Sequence, residues 1–331
     1  MTAPASAASH SPSAQPADPL PELRSYRRPR LRREVPILWR SATAVQIGDD
    51  ITLTSVTRSH VAWLSVLDGL ASPDEIAASL TIPSEHAARL VRGLIAAGAL
   101  DDASRVPESV RWAGPAVRDD AQRRFSSALA AYRDLDLAHR VTSRRERLRI
   151  AVAGTGRLAE EVLSALTTAG LTASADRGDR GDRGDGGDIV VLADAAHPHV
   201  PASFDDPCMT RPHVHVGAFG ERATVGPLVV PGRTSCLRCH HLHRRDADPA
   251  WPVLSVQWAH WAGGFPGPPV DPLLTRLAAD WVALLVRAWV DLPDESAVWA
   301  DTAVDLHLPL GAPQVRACPP HPLCGCRWTS R

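Results

Sequence analysis

The sequence predicts an α/β protein of two domains, a small winged-helix (α+β) domain followed by a Rossmann-like, doubly wound sheet. Its 331 residues are enough for about two domains with a sizeable core. Short β-rich segments followed by three short helices predict the first domain within residues 31–105. From Leu148 a short apolar strand leads into a glycine-rich turn, a helix and a second strand. This order is typical of βαβ units and predicts a parallel sheet with helices on both faces.

The composition excludes several kinds of chemistry. The sequence contains no lysine and no asparagine, so all 36 residues of the Lys+Arg count are arginine. This excludes a Schiff-base lysine, a P-loop lysine and a kinase-type lysine. The formal net charge of −1 makes nucleic acid an unexpected partner.

The sequence also gives an expectation for the compartment. Residues 1–20 lack the basic and apolar regions of a signal peptide. The most apolar stretch, Trp281–Val290, is short and interrupted by Arg287. We therefore expect a cytoplasmic protein with no membrane partner.

The predicted organisation has four parts. We expect a disordered tail over residues 1–30, a winged-helix domain over 31–105, a helical connector over 106–147, and the sheet domain with a metal site over 148–331. A basic run from Arg24 to Arg33 crosses the first boundary. It is either a solvated tail or an arm that binds nucleic acid or an acidic partner.

The strands and helices of the first domain follow from local signals. Segments 35–39, 44–47 and 51–56 are rich in β-formers and are separated by turn residues. The second of three short helices begins at a capping box, with Ser72 as N-cap and Glu75 at N3. The third helix, 84–97, has apolar residues at helical spacing.

The glycine-rich turn is a candidate nucleotide site. Gly154, Gly156 and Ala159 follow a strand and open a helix, where backbone amides and the helix dipole could hold a phosphate. Asp176 ends the second strand, where a ribose-binding carboxylate belongs. The same glycines also serve close strand–helix packing, so both interpretations stay open. A repeat of Asp, Arg and Gly over residues 176–188 predicts a flexible loop directly afterwards.

Two close cysteine pairs predict a metal site. Cys236 and Cys239 form a CxxC motif, and Cys324 and Cys326 form a second pair near the C-terminus. Four thiolates from two distant turns would close a tetrahedral structural zinc site without an open position.

The remaining cysteines and histidines leave alternatives. Cys318 could replace one residue of the C-terminal pair, and Cys208 is expected to be a free thiol. A redox CxxC would open a helix after a strand, whereas a short loop containing Pro231 precedes this one. The nearby histidines are expected to lie on the surface or to support the metal ligands from outside. These are His240, His241, His243 and His321.

Three segments in a fixed order carry a resemblance to a known family. They are GPLVVPGRTSCLRC (226–239), HRRDADPAWP (243–252) and HPLCGC (321–326). Together they resemble the ThiF-like leader-peptide-binding or cyclodehydratase components of azole-forming (TOMM) peptide biosynthesis, within the ubiquitin-activating-enzyme superfamily. The resemblance covers roughly residues 30–328. It implies an N-terminal peptide-recognition element similar to the PqqD fold, followed by a ThiF-type domain with a four-thiolate zinc.

The resemblance also implies partners and a peptide site. The leader of a precursor peptide would add as a strand beside 51–56 and pack against the third helix. The groove candidates are apolar residues of these two elements, with ordinary core packing as the alternative: Ile51, Leu53, Val56, Leu90 and Leu94. The implied partner is a YcaO-type enzyme that acts in trans. A homodimer is one option for the oligomeric state.

Departures from the family pattern bear on mechanism. Active members of the superfamily adenylate a carboxylate with the help of an asparagine-containing segment and a lysine, and this chain has neither residue. We therefore expect a vestigial nucleotide site at Gly154, Gly156, Ala159 and Asp176, no ATP cofactor, and a non-catalytic docking function. The alternatives are an ATP-dependent adenylyltransferase and a winged-helix DNA-binding protein.

Overall fold

The structure is a computed structural model that describes residues 18–32, 34–105, 114–176, 187–194, 210–264, 270–294, 299–309 and 312–327. Two compact units make up the chain, Met1–His139 and Arg140–Arg331. Within the described ranges, no helix has the length and apolar character needed to cross a membrane.

The first unit combines short strands with short helices. Its described elements, in chain order, are β1 (Pro29–Leu31), β2 (Ile37–Ser41), β3 (Ala44–Ile47), β4 (Ile51–Thr54), α1 (Arg58–Trp63), α2 (Pro73–Ala78), α3 (Ser84–Ala96), β5 (Leu100–Asp102), α4 (Pro115–Tyr132) and the start of α5 (Leu135–Arg147). Strands β2, β3 and β4 form an antiparallel sheet in that order, which leaves β4 at an edge, while β1 pairs with β5. The three strands and three helices predicted for this region are confirmed.

The core of the first unit forms around α3. Ala87, Leu90, Val91 and Leu94 recur at helical spacing and are at most 1% exposed. Each leucine buried in this way contributes about 1.5–3 kcal/mol to folding. The capping box of α2 is present as predicted, because Ser72 accepts a hydrogen bond from the Glu75 amide.

The segment before β1 differs from the predicted tail. Residues Pro21–Ser25 form a 3-10 helix, and Leu20 and Leu23 are fully buried in the core of the first unit. The backbone amides of Arg27 and Arg28 donate to the buried Asp102 carboxylate. A few isolated apolar residues within a Pro- and Arg-rich stretch have no periodicity, so the sequence pattern gave no sign of this packing. Residues 1–17 lie outside the described residues.

The second unit contains a seven-stranded mixed sheet. Its described elements after α5 are β6 (Arg149–Ala153), α6 (Arg157–Thr168), β7 (Thr172–Ala175), β8 (Ile189–Asp194), β9 (His213–Phe219), β10 (Arg222–Val229), α7 (Leu237–Ala247), α8 (Trp251–Gly264), α9 (Pro272–Asp291), β11 (Thr302–His307) and β12 (Gln314–Ala317). The strand order is β12-β11-β10-β9-β8-β6-β7.

The predicted parallel sheet is correct for only part of this arrangement. Strands β7, β6, β8 and β9 are parallel, whereas β9 to β12 pair in antiparallel fashion. Only Gly220 and Glu221 separate β9 from β10. A connection of this length forms a hairpin, because a parallel crossover needs a dozen or more residues.

Helices α6 and α9 pack against each other and against the sheet. Val162 and Leu166 of α6 and Val282 and Val286 of α9 are fully buried in the same core. The shared core of these two helices and the parallel strands fixes the position of the glycine-rich turn between β6 and α6.

Candidate metal centre and peptide-binding edge

A tight turn after β10 positions the first cysteine pair. The amides of Arg233 and Thr234 donate to the Val230 carbonyl, and the Thr234 hydroxyl accepts from the Val230 amide at 2.8 Å. Cys236 is then the N-cap of α7, and Cys239 lies in its first turn. Residues three apart lie on one side of a helix start, so both sulfur atoms can reach one point.

The four-cysteine cluster, formed by Cys236, Cys239, Cys324 and Cys326, has the geometry of a metal site. All four sulfur atoms lie within 4.8 Å of one another. The Cys236–Cys324 and Cys239–Cys326 sulfur pairs are 3.5 Å apart, and the Cys236–Cys239 pair is 3.8 Å apart. Zinc–sulfur bonds of about 2.3 Å place tetrahedral ligands about 3.8 Å apart, so the cluster fits this ion.

Burial and charge also suit a metal. Three of the four cysteines are buried and Cys326 is half-buried. The Cys236 thiol donates to Cys239, which lowers the pKa of Cys239 well below that of an ordinary thiol. A metal ligand must be a thiolate. Cys239 ionises readily, whereas the hydrogen bond to Cys239 and burial raise the pKa of Cys236, and burial raises the pKa of Cys326, so a bound cation would have to displace the protons of these two thiols.

The C-terminal pair is held by contacts with α7. The Cys324 amide donates to the His321 carbonyl at 2.9 Å, and His321 Nε2 donates to the Asp246 carboxylate at 2.8 Å. His243 Nε2 donates to the Pro319 carbonyl at 2.9 Å. These two histidines therefore fasten the tail to α7 rather than join the cluster.

Cys318 lies outside the cluster. Its thiol is buried and hydrogen-bonded to Arg316 Nη1 at 3.2 Å, and burial raises its pKa to about 11. The structure therefore gives no support for Cys318 as a replacement ligand. The CxxC motif opens α7, but the expected loop containing Pro231 separates it from β10, and its sulfur atoms contact those of the second pair. Cys208 lies outside the described residues.

The glycine-rich turn has a packing explanation at its first glycine. Gly154 has φ +138°, and a Cβ there would lie 2.0 Å from the Ala193 carbonyl oxygen. Gly156 has φ +76° with open space around it. Asp176 is exposed at the end of β7, at the same sheet edge, while Ala159 is buried in the core. The turn and Asp176 are therefore neighbours along one edge, and Ala159 belongs to the core. Most of the predicted repeat loop, residues 177–186, lies outside the described residues.

The five predicted peptide-contacting residues differ in their exposure to solvent. Ile51 and Leu53 are half-buried on β4. Val56, Leu90 and Leu94 are at most 1% exposed in the core of the first unit, so they cannot line a surface groove. Helical spacing identifies an apolar face but does not say whether that face meets the core or a ligand.

Most described arginines of the basic run have partners within the first unit. Arg24 pairs with Asp18, Arg28 with Glu75 and Arg30 with Asp101, and the guanidinium of Arg32 donates to two backbone carbonyls. Paired or buried charges are poorly suited to bind phosphates, so these contacts do not favour the DNA-binding alternative. Arg33 lies outside the described residues.

No protein-family model matches this sequence, and no curated protein matches it. Among solved structures, a heterocyclase in complex with substrate and cofactor is similar, with TM-score 0.59, 14% identity, and coverage of 91% of this chain and 39% of the heterocyclase. The heterocyclase TruD matches with TM-score 0.56, 15% identity, and coverage of 91% and 42%.

The microcin C7 biosynthetic enzyme MccB of E. coli is also similar. Its complex with MccA-N7isoASN matches with TM-score 0.58 and 13% identity, over 91% of this chain and 99% of MccB. The chain shares its fold with these proteins. It spans about two fifths of the heterocyclases and nearly all of MccB.

Proposed function

We propose that this chain binds the leader segment of a ribosomal precursor peptide and presents it to a separate YcaO-type cyclodehydratase that forms azole rings. The observation that carries the proposal is the edge strand β4 beside α3. In the described part of the chain no strand pairs with the outer side of β4. Its free N–H and C=O groups can accept an added strand, and α3 can contact the side chains of that strand.

The fold comparison supports a peptide-related role. One similar heterocyclase was solved with its substrate, and MccB was solved with N-formylated MccA. Sequence identities of 13–15% indicate a shared fold and nothing about function. The proposed peptide binding therefore rests on the β4 edge of this chain.

The four-cysteine cluster supports a structural zinc within the same proposal. The apolar residues packed around the sulfur atoms are few, namely Val229 and Leu242. A bound ion would therefore supply much of the free energy that holds α7 and the C-terminal segment together. Four thiolate ligands leave no open position for a reacting group, so this ion would have no catalytic role.

The absence of lysine and asparagine supports a non-catalytic role. The first glycine of the turn is explained by the close approach of β6 to β8 at Ala193, so it does not require a nucleotide. The turn then serves as scaffold, and the activation chemistry belongs to the partner enzyme.

Exposed apolar residues of α8 support a partner surface. Val253, Leu254 and Val256 are 62%, 38% and 69% exposed. Adjacent exposed apolar side chains mark interaction surfaces. Val253→Glu with Val256→Glu should weaken binding of the YcaO-type enzyme encoded nearby and leave leader binding unchanged. Equal loss of enzyme binding and leader binding would indicate that the substitutions impair folding.

Fluorescence polarisation with a labelled leader peptide from the precursor gene beside this one tests the proposal. We expect binding with a dissociation constant below about 100 μM. N-methylation of the peptide at successive amides should weaken binding at every second position, because only alternate N–H groups of an added strand face β4. No binding, or losses without this period of two, would contradict strand addition.

The second candidate function is ATP-dependent adenylation. The specific observation in its favour is that the likeness covers 99% of MccB, which has also been solved with ATP. Exchange of labelled pyrophosphate into ATP in the presence of the leader and core peptide would support this candidate. ATP-independent behaviour with intact leader binding would support docking.

A further inference from the structure

The carboxyl end of β4 carries a group of hydrogen-bond donors. The strand ends at Ser55, whose φ of +57° turns the backbone out of the sheet. Arg89 on α3 donates through Nη2 to the Ser55 carbonyl at 3.2 Å. Its Nε is buried and has no hydrogen-bond partner among the described residues. The guanidinium is therefore held at the end of the edge strand, and its Nη1 group makes no hydrogen bond to any described residue.

A pair of histidines beside it has a defined arrangement of protons. The Thr57 amide donates to His60 Nδ1, so the proton of neutral His60 is on Nε2. That proton is donated to His86 Nδ1 at 3.1 Å, which places the proton of neutral His86 on its own Nε2. Among the described residues this last N–H has no partner. These hydrogen bonds thus leave His86 Nε2 as a second unused donor close to the end of β4.

The charge around these donors is not neutralised. Arg58 and Arg89 make no ion pair with any described residue, and Glu85, beside His86, makes none either. By contrast, Arg92 on the same helix pairs with Glu22 at 2.6 Å, and Arg133 pairs with Asp50 before the other end of β4 at 2.6 Å. Two unpaired guanidinium groups against the one unpaired carboxylate of Glu85 therefore leave a net positive charge on the residues that follow β4 and on the start of α3.

We propose that Arg58, His86 and Arg89 form a subsite for the carboxylate of an Asp or Glu in the bound leader peptide. The inference rests on the proposed leader binding and adds a chemical requirement to it. A carboxylate accepts two or more hydrogen bonds and complements the unpaired guanidinium groups. An acidic residue level with Ser55 would also fix the register of the added strand, which backbone pairing alone does not specify.

Selection from a displayed library of random peptides on the immobilised full-length chain tests the subsite. The wild type should enrich peptides with Asp or Glu at one fixed position relative to their apolar residues. Arg89→Gln should enrich peptides without this acidic preference, and Arg89→Glu should favour Lys or Arg there. Arg92→Gln, on the same helix, is the matched control and should keep the wild-type preference.

Fluorescence polarisation with one selected peptide then measures the size of the effect. Replacing its acidic residue with the amide should weaken binding to the wild type about three- to tenfold, and should have no effect on binding to Arg89→Gln. Enrichment of peptides without an acidic position would overturn the subsite and leave the proposed function standing. Failure of every folded variant to enrich any peptide would overturn the proposed function and the subsite with it. Thermal unfolding of each variant identifies those that are folded.

Discussion

Leu53 on β4 fills the space that a side chain at Gly93 of α3 would occupy. A Cβ at Gly93 would lie 2.8 Å from Leu53 Cδ1. The pair therefore sets how closely the edge strand approaches α3, which is the spacing that an added peptide strand would encounter.

Gly93→Ala should have opposite effects in two backgrounds. In the wild type the new methyl group displaces Leu53, and we expect a loss of stability of up to about 1 kcal/mol. In a Leu53→Ala background the space is free, and the same change should stabilise α3 by about 0.5–1 kcal/mol. Urea unfolding of the four proteins measures the coupling. Equal effects in both backgrounds would show that the two side chains do not compete for this space.

Zinc binding should depend on the four-cysteine cluster and not on Cys318. Native mass spectrometry should detect one zinc per chain, lost in Cys236→Ser and in Cys324→Ser, because each change removes a ligand. Cys318→Ser is the matched control and should keep the ion, since its sulfur lies outside the cluster. Retention of zinc after loss of both Cys236 and Cys324 would contradict the assignment.

Removal of the metal should loosen the C-terminal segment. Treatment with a chelator should expose residues after β12 to limited proteolysis and lower the thermal unfolding temperature, because few apolar contacts remain there. Zinc should reverse both effects. Unchanged proteolysis after complete metal removal would mean that the contacts of His243 and His321 hold the segment alone.

Arg145 and Asp291 form a buried ion pair within the second unit. Their side chains are 5% and 1% exposed, and Arg145 donates to both carboxylate oxygens of Asp291. Arg145→Ala should destabilise folding by about 3–5 kcal/mol, because it leaves a buried carboxylate with weaker compensation from Arg287. Arg276→Ala, which removes surface ion pairs with Asp280 and Glu161, should cost no more than about 1 kcal/mol. Chemical denaturation compares the two.

Asp102 should make folding pH-dependent. Burial of its carboxyl group opposes ionisation, but hydrogen bonds from Arg27, Ser104 and Arg28 outweigh this and hold its pKa below the usual value. A native pKa below the unfolded one stabilises the fold above the unfolded value of about 3.9, and this contribution is lost as the pH falls.

Comparison with Asp102→Asn isolates this contribution. The wild type should be more stable than the variant at pH 7, and the difference should shrink as the pH is lowered below about 4. Denaturant unfolding across this range provides the measurement. A difference that does not change with pH would assign the effect of the substitution to packing.

Local and periodic features of this protein could be predicted from its sequence. The capping box at Ser72, the strand before Gly154 and the two cysteine pairs are each encoded in a few neighbouring residues, and the structure contains all of them. The convergence of Cys236 and Cys324 could be predicted because a tetrahedral ion needs four ligands and the sequence offers two close pairs.

Features that depend on long-range packing could not be predicted. Leu90 and Leu94 have the spacing of a helix face, but only the fold shows that this face meets the core. The antiparallel half of the sheet depends on pairings between distant segments. The donors at the end of β4 are separated by up to 34 residues, as for Arg89 and Ser55, and no local motif connects them.

The spacing of the cysteine pairs has a consequence for biosynthesis. Cys236 and Cys324 are 88 residues apart, and β11 and β12 lie between them. During translation, the first pair leaves the ribosome long before the second, so a newly made chain can hold an ion with only two sulfur ligands until Cys324 and Cys326 emerge. Closure of a four-thiolate site would therefore wait until Cys324 and Cys326 have emerged, and a ribosome stalled after α9 would hold a nascent chain with only half of the cluster.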